Sequence, residues 1–155
     1  MSFYDWMLAL HVLAAFSIAA ALVLYSVLVV SGRRMTTLDE TRLLFRVAPI
    51  GAPLIGVGMG LALLLGIVLA IDSDEFELWN GWIIAAVILW ALSGWTGQRT
   101  GVYYTETQKL AESDEANAEA EVISRLRAPT GVRLHLATVG IFLLLVLDMI
   151  FKPGA

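Results

Sequence analysis

YDWMLALHVLAAFSIAAALVLYSVLVV, residues 4–30, decides how this chain is read. No formally charged side chain occurs between Trp6 and Gly32, and at about 1.5 Å of helical rise per residue such a run exceeds the ~30 Å hydrocarbon layer of a bilayer. It predicts a membrane-spanning helix over residues 5–32. Arg33 and Arg34 follow at once, while Phe3, Tyr4, Asp5 and Trp6 stand at the other end, where aromatic rings suit a membrane boundary. The arginines therefore mark the cytoplasmic end. His11 lies inside the run. An ionisable group at membrane depth costs free energy and is a candidate functional residue for that reason.

The remaining composition has the same character. Hydrophobic residues fill 59% of the 155 positions and charged residues only 15%, against roughly 25% charged in soluble domains, so an integral membrane protein is expected. The net charge of -4, with acidic loops and no basic surface, argues against nucleic-acid binding. Cysteine is absent, which excludes disulfides, iron–sulfur clusters and thiolate metal sites and leaves His11 and His135 as the soft-metal or haem ligands. The first apolar run lacks a basic flank before it and is longer than the ~7–15 residue core of a signal peptide, so it reads as a retained span.

Three further spans are predicted, at residues 48–71, 79–103 and 130–151. The second contains APIGAPLIGVGMG. Pro49 suits a first helical turn and Pro53 should bend the helix. Ala48, Ala52, Gly56 and Gly60 recur every fourth residue, a stripe that lets another helix backbone come close. Ser93, Gly97 and Gly101 form a matching stripe on the third span and are its expected partner. Trp90, near the middle of that span, needs an acceptor for its N–H unless the ring faces lipid or fills the core.

The connections carry the charge. Residues 33–46 read as a polar cytoplasmic loop with four arginines, and residues 72–77 as an acidic outer turn with four acids and no base. Residues 105–128 predict a cytoplasmic helix with Ser113 as N-cap, a solvated acidic face and an apolar edge of Val122, Ile123 and Leu126. Pro129 restarts the chain. By this topology nine lysines and arginines fall on the inner side and Lys152 alone on the outer. The bias predicts an all-α, four-transmembrane-helix up-and-down bundle, one domain over residues 1–155, with both termini non-cytoplasmic.

The fourth span carries an anomaly, because only 14 residues without formal charge, 134–147, separate Arg133 from Asp148. They cover about 21 Å, well short of the ~30 Å core. Arg133 can snorkel outward, but the shorter Asp148 calls for a partner, and Lys152 is the local one at i+4. Asp148 and His11 fall at about equal depth below the outer boundary. If their helices adjoin, the Asp148 carboxylate accepts from the imidazole, orients it for proton transfer or metal ligation and relays its proton. The alternative is an Asp148 to Lys152 pair, with His11 bonded to a backbone carbonyl. His135 lies toward the inner side, where it joins Arg99 and Arg133 in a polar cluster or is simply interfacial. Met149 offers His11 a second axial ligand for haem, or is core filler. No nucleophile and base arrangement, phosphate loop or di-iron carboxylate set is evident.

The phrase LHVLAA, residues 10–15, early in the first of four spans, is followed by a proline- and glycine-rich second span and by tryptophan at the start of the third. This pattern resembles a family of bacterial four-helix membrane proteins, similar to the copper-resistance D-type proteins and to the haem-b-binding membrane protoporphyrinogen oxidases. The resemblance implies a bacterial inner membrane and haem b as cofactor, with His11 at the position of the first-helix histidine. Two functions of different class are expected from all this. One is a haem- or proton-handling redox protein centred on His11. The other is a non-catalytic subunit or homo-oligomeric scaffold whose partners are the lipid bilayer and a larger membrane complex.

Overall fold

Ser2 starts α1 (Phe3–Gly32) with a capping box: its hydroxyl accepts from the Asp5 N–H at 3.2 Å, and the Asp5 carboxylate accepts from the Ser2 N–H at 2.7 Å. The computed structural model describes residues 2–72 and 79–153. After α1 come α2 (Leu38–Phe45), α3 (Ala48–Asp72), α4 (Gly81–Ala111), α5 (Ala118–Arg127) and α6 (Pro129–Phe151). No strand occurs among the described residues. Four helices, α1, α3, α4 and α6, are long and apolar enough to cross a membrane. Apart from Asp72, the acidic turn expected at residues 72–77 lies outside the described residues, as does the approach to α4.

The long helices meet in pairs. Along α1 and α3 the contacts run in opposite chain order: His11 lies against Gly66, Ser17 against Leu54 and Gly58, and Tyr25 against Ala48 and Gly51. Along α4 and α6 they do the same, from Trp82 against Lys152, through Gly97 against Thr138, to Tyr104 against Gly131. Ile18, Leu22, Met59 and Phe142 form the buried centre between the pairs, with Trp90 packed on it. The Trp90 indole N–H donates to the Met59 carbonyl at 3.1 Å, so this ring has the acceptor its depth requires and also joins α4 to α3.

The expected use of the small-residue stripes is not what the fold adopts within one chain. Around Gly56 and Gly60 an added Cβ would meet nothing within 4 Å, and Ala52 is exposed; Ala48 alone of that stripe is half-buried. The close crossing is made by Gly51 and Gly58. A Cβ on Gly58 would stand 2.8 Å from Ile18 Cγ1 and 3.1 Å from the Ala14 carbonyl oxygen, and one on Gly51 would stand 2.8 Å from the Tyr25 ring. Seven residues are nearly two full turns, so these two glycines share a face, whereas Gly56 and Gly58 lie roughly 200° apart around the helix. The second stripe is also redirected. Ser93 is buried and Gly97 faces Thr138, so it packs on α6 and not on α3, while Gly101 is open.

At the polar end the sequence reading needs two corrections. Residues 33–46 are not simply a loop: Thr37 caps α2, its hydroxyl accepting from the Glu40 N–H at 3.4 Å, and Thr41 and Phe45 turn inward. The single helix expected over residues 105–128 is in fact the tail of α4 plus α5. Ser113 ends α4, donating to the Leu110 carbonyl at 2.8 Å, and is not an N-cap. Phe45, Ala111, Val122 and Leu126 then bury one another, which gives α5 the apolar edge that was expected of it. Arg42 Nε donates to the Ala111 carbonyl at 2.7 Å, and Glu119 accepts from the Leu38 N–H at 3.4 Å, so charged side chains tie the α2 layer down. The Thr36 N–H and hydroxyl hold the Glu40 carboxyl below the usual carboxylate range.

The two glycine faces are separable by mutation. Gly58→Ala should lower stability in detergent by about 1–3 kcal/mol, because the added methyl meets backbone and a β-branched side chain. Gly56→Leu should leave the monomer's unfolding transition unchanged. Equal effects of the two, read by circular dichroism melts, would mean that the crossing lies elsewhere.

Candidate functional site

His11 is half-buried on α1. Its ring faces α3 so closely that a Cβ on Gly66 would come 3.2 Å from Cε1 and 3.6 Å from Nδ1. The ring interacts with the Ala62 backbone on α3, as the backbone-carbonyl alternative expected, although no bond of full hydrogen-bond geometry reaches the buried Nδ1 among the described residues. Buried polar atoms are almost always paired, so an orphan of this kind asks for a proton, a water or a ligand.

Asp148 is the second such residue. Its Oδ2 is buried and likewise makes no hydrogen bond among the described residues, so the orienting bond to His11 Nδ1 is not formed. The helical wheel explains why. His135 points at α1 from α6, and 13 residues later Asp148 is turned roughly 140° away from that face. Depth is a separate matter. His11 and Asp148 stand 15 and 13 residues from the link between Ser26 and His135, about 22 and 20 Å along their helices, so they occupy one slab without touching. Lys152 closes α6 in the left-handed conformation, φ 42°, and its Nζ lies 5.5 Å from the centre of the Trp82 ring on α4.

His135 is enclosed within the bundle. It is only 4% exposed, and its Nε2 stands 2.7 Å from Ser26 Oγ on α1. Ser26 donates to the Leu22 carbonyl at 2.8 Å, so the imidazole N–H is the donor in that contact. The serine proton then points at Leu22 and not at the ring, so in this arrangement the pair fastens helices and does not activate a nucleophile. Arg99 and Arg133 do not join it. Both are exposed, Arg99 lying 5.5 Å from the centre of the Trp95 ring. Two residues are roughly 200° of helix, which puts Arg133 and His135 on opposite sides of α6. Beside His135, the Thr138 and Thr100 hydroxyls meet at 3.3 Å across α6 and α4. Sequence reasoning missed Ser17, Ser26, Thr100 and Thr138. The available signal was that hydroxyls within an apolar span are the side chains able to bond a neighbouring helix.

Among the described residues no group of three or more histidine, aspartate or glutamate side chains could hold a metal ion. Ligation of haem iron through Nδ1 does not fit His11 as placed. The edge bearing the free nitrogen faces the α3 backbone at Gly66, and nothing that hydrogen-bonds, Met149 sulfur included, reaches Nδ1. An iron there requires α1 and α3 to part. A proton requires no such room. No protein-family model, curated protein or solved structure matches this chain.

The link between Ser26 and His135 is testable as a pair. A double-mutant cycle of Ser26→Ala and His135→Leu should give a coupling of about 0.6–1.7 kcal/mol, the upper range for hydrogen bonds between helices in membranes. Strict additivity in detergent unfolding would remove the bond from the account.

Proposed function

We propose that the chain is a four-span, up-and-down protein of a bacterial inner membrane, both termini outside the cytoplasm, and that it handles protons through His11. The topology is supported by the nine-to-one distribution of basic residues between the two sides. The function is supported by one observation above the others, the buried and unpartnered Nδ1 of His11 inside an apolar span. A neutral imidazole with a free nitrogen accepts a proton without moving a helix, and histidine is the side chain whose ordinary titration falls nearest to neutral pH. Redox chemistry with haem b is the alternative form of this reading, and iron at Nδ1 would need a rearrangement at Gly66.

A second reading, a subunit or scaffold without catalysis, is favoured by a different observation. The outward face of α3, with Ala52, Gly56 and Gly60, is covered by none of the described residues, as expected of a helix reserved for another copy or another subunit.

Colour and infrared spectroscopy separate these readings. Protein expressed with ample haem and purified in mild detergent should lack a Soret band and show a reversible imidazole protonation signal that disappears in His11→Leu and persists in His135→Leu. A Soret band lost in His11→Ala would establish haem. A protonation signal indifferent to His11→Leu would leave the subunit reading. The absence of cysteine makes the topology equally direct to check: Asp72→Cys should react with an impermeant thiol reagent in intact cells and Glu115→Cys should not. The reverse pattern would invert the protein.

A further inference from the structure

Asp148 has no role in the arrangement described so far. Residues 134–147 cover only about 21 Å, so Arg133 or Asp148 lies at or within the edge of the apolar layer, and Arg133 is the one whose long side chain snorkels out of it. Of its helical neighbours Leu144, Leu145, Phe151 and Lys152, only Lys152 carries a hydrogen-bonding side chain, and Oδ2 is buried with no hydrogen bond among the described residues. The described charged or titratable groups at this end are Tyr4, Asp5 and His11 on α1, Asp72 on α3 and Lys152 on α6; α4 carries no charge between Gly81 and Gln98. None of them bonds Oδ2. An ionised carboxylate with an orphan oxygen in apolar surroundings is unfavourable. The atom is satisfied in two ways, by a proton on the carboxyl or by a small monovalent cation beside it. Both share one chemistry, a single positive charge delivered to Asp148.

We infer that Asp148 is a binding site for a proton or a monovalent cation within the membrane, separate from His11. This rests on the chain spanning a membrane, and not on what His11 does. His11 packs against α3 and Asp148 is turned away from α1, so the two load independently.

A hydrophobic carbodiimide reads the site. The protonated carboxyl adds across a C=N bond, its proton going to nitrogen and its oxygen to carbon; the acyl group then shifts to nitrogen, giving a stable N-acylurea with no leaving group. Labelling therefore reports the protonated carboxyl in an apolar place. Full-length protein in liposomes at pH 7, treated with dicyclohexylcarbodiimide and mapped by peptide mass, should be modified at Asp148. Asp148→Asn should lower total labelling at least tenfold, and a water-soluble carbodiimide should not label this position. The rate should fall as pH rises. If sodium chloride at fixed pH slows labelling several-fold relative to choline chloride, the cation competes for the site; if only pH matters, the ligand is the proton. In His11→Leu the labelling should remain. Folded protein that leaves Asp148 unmodified, or labelling lost in His11→Leu, would overturn the inference, and neither result bears on the His11 infrared signal. A failure of the membrane reading appears separately, in the cysteine accessibility at Asp72 and Glu115.

Discussion

The backbone contact at Gly58 is what the rest of the bundle depends on. Apolar helices surrounded by hydrocarbon gain little from touching one another, because lipid tails are as apolar as leucine. What decides their faces is how closely backbones approach and where hydroxyl and indole groups find carbonyls. Gly58 lets α3 settle on α1 against Ile18 and the Ala14 carbonyl. There the Ser17 hydroxyl lies 2.8 Å from the Ala14 carbonyl and 3.2 Å from that of Leu54, and Tyr25 donates to the Ala48 carbonyl at 3.0 Å. Pro53 sits inside the same helix, exposed on the other side, where its missing N–H does not disturb the crossing.

Once α1 is held this way, the placement of the ionisable groups follows. His11 is committed to α3 at Gly66, and Ser26, further along α1, is left to receive His135 from α6. That bond sets the rotation of α6 and turns Asp148 away from α1. The two histidines thus take different parts despite their similar setting: one is fully enclosed and fastened, the other keeps a nitrogen free. A fastened imidazole stabilises a crossing, whereas a free one can change its charge.

Much of this architecture was legible in the sequence, because an apolar run of sufficient length without charge admits few alternatives. The four long helices and the restart at Pro129 were read directly. Their faces were not. APIGAPLIGVGMG holds Gly51, Gly56, Gly58 and Gly60, so both a four-residue and a seven-residue spacing can be drawn through it. On a helix that is apolar all round, hydrophobicity cannot choose between them. α2 was hidden by its length of eight residues and by charges that suit a loop equally well. Ser113 was misread because a serine before acids fits an N-cap, while the same hydroxyl can close the preceding helix. At the site, the anomalies of His11 and Asp148 were visible as ionisable residues in apolar spans, but their contact was a guess about helix rotation, and rotation is fixed by hydroxyls on other helices.

The most direct measurement is an intrachain crosslink in this cysteine-free protein. Ser17→Cys combined with Gly58→Cys places two thiols across the crossing, because a Cβ at position 58 would meet the tip of the Ser17 side chain. Mild oxidation in membranes should close it within one chain, visible as a mobility shift reversed by reductant, while Ser17→Cys with Gly56→Cys should stay reduced. Efficient closure at position 56 and none at position 58 would contradict the account, because α1 would then lie on the opposite face of α3.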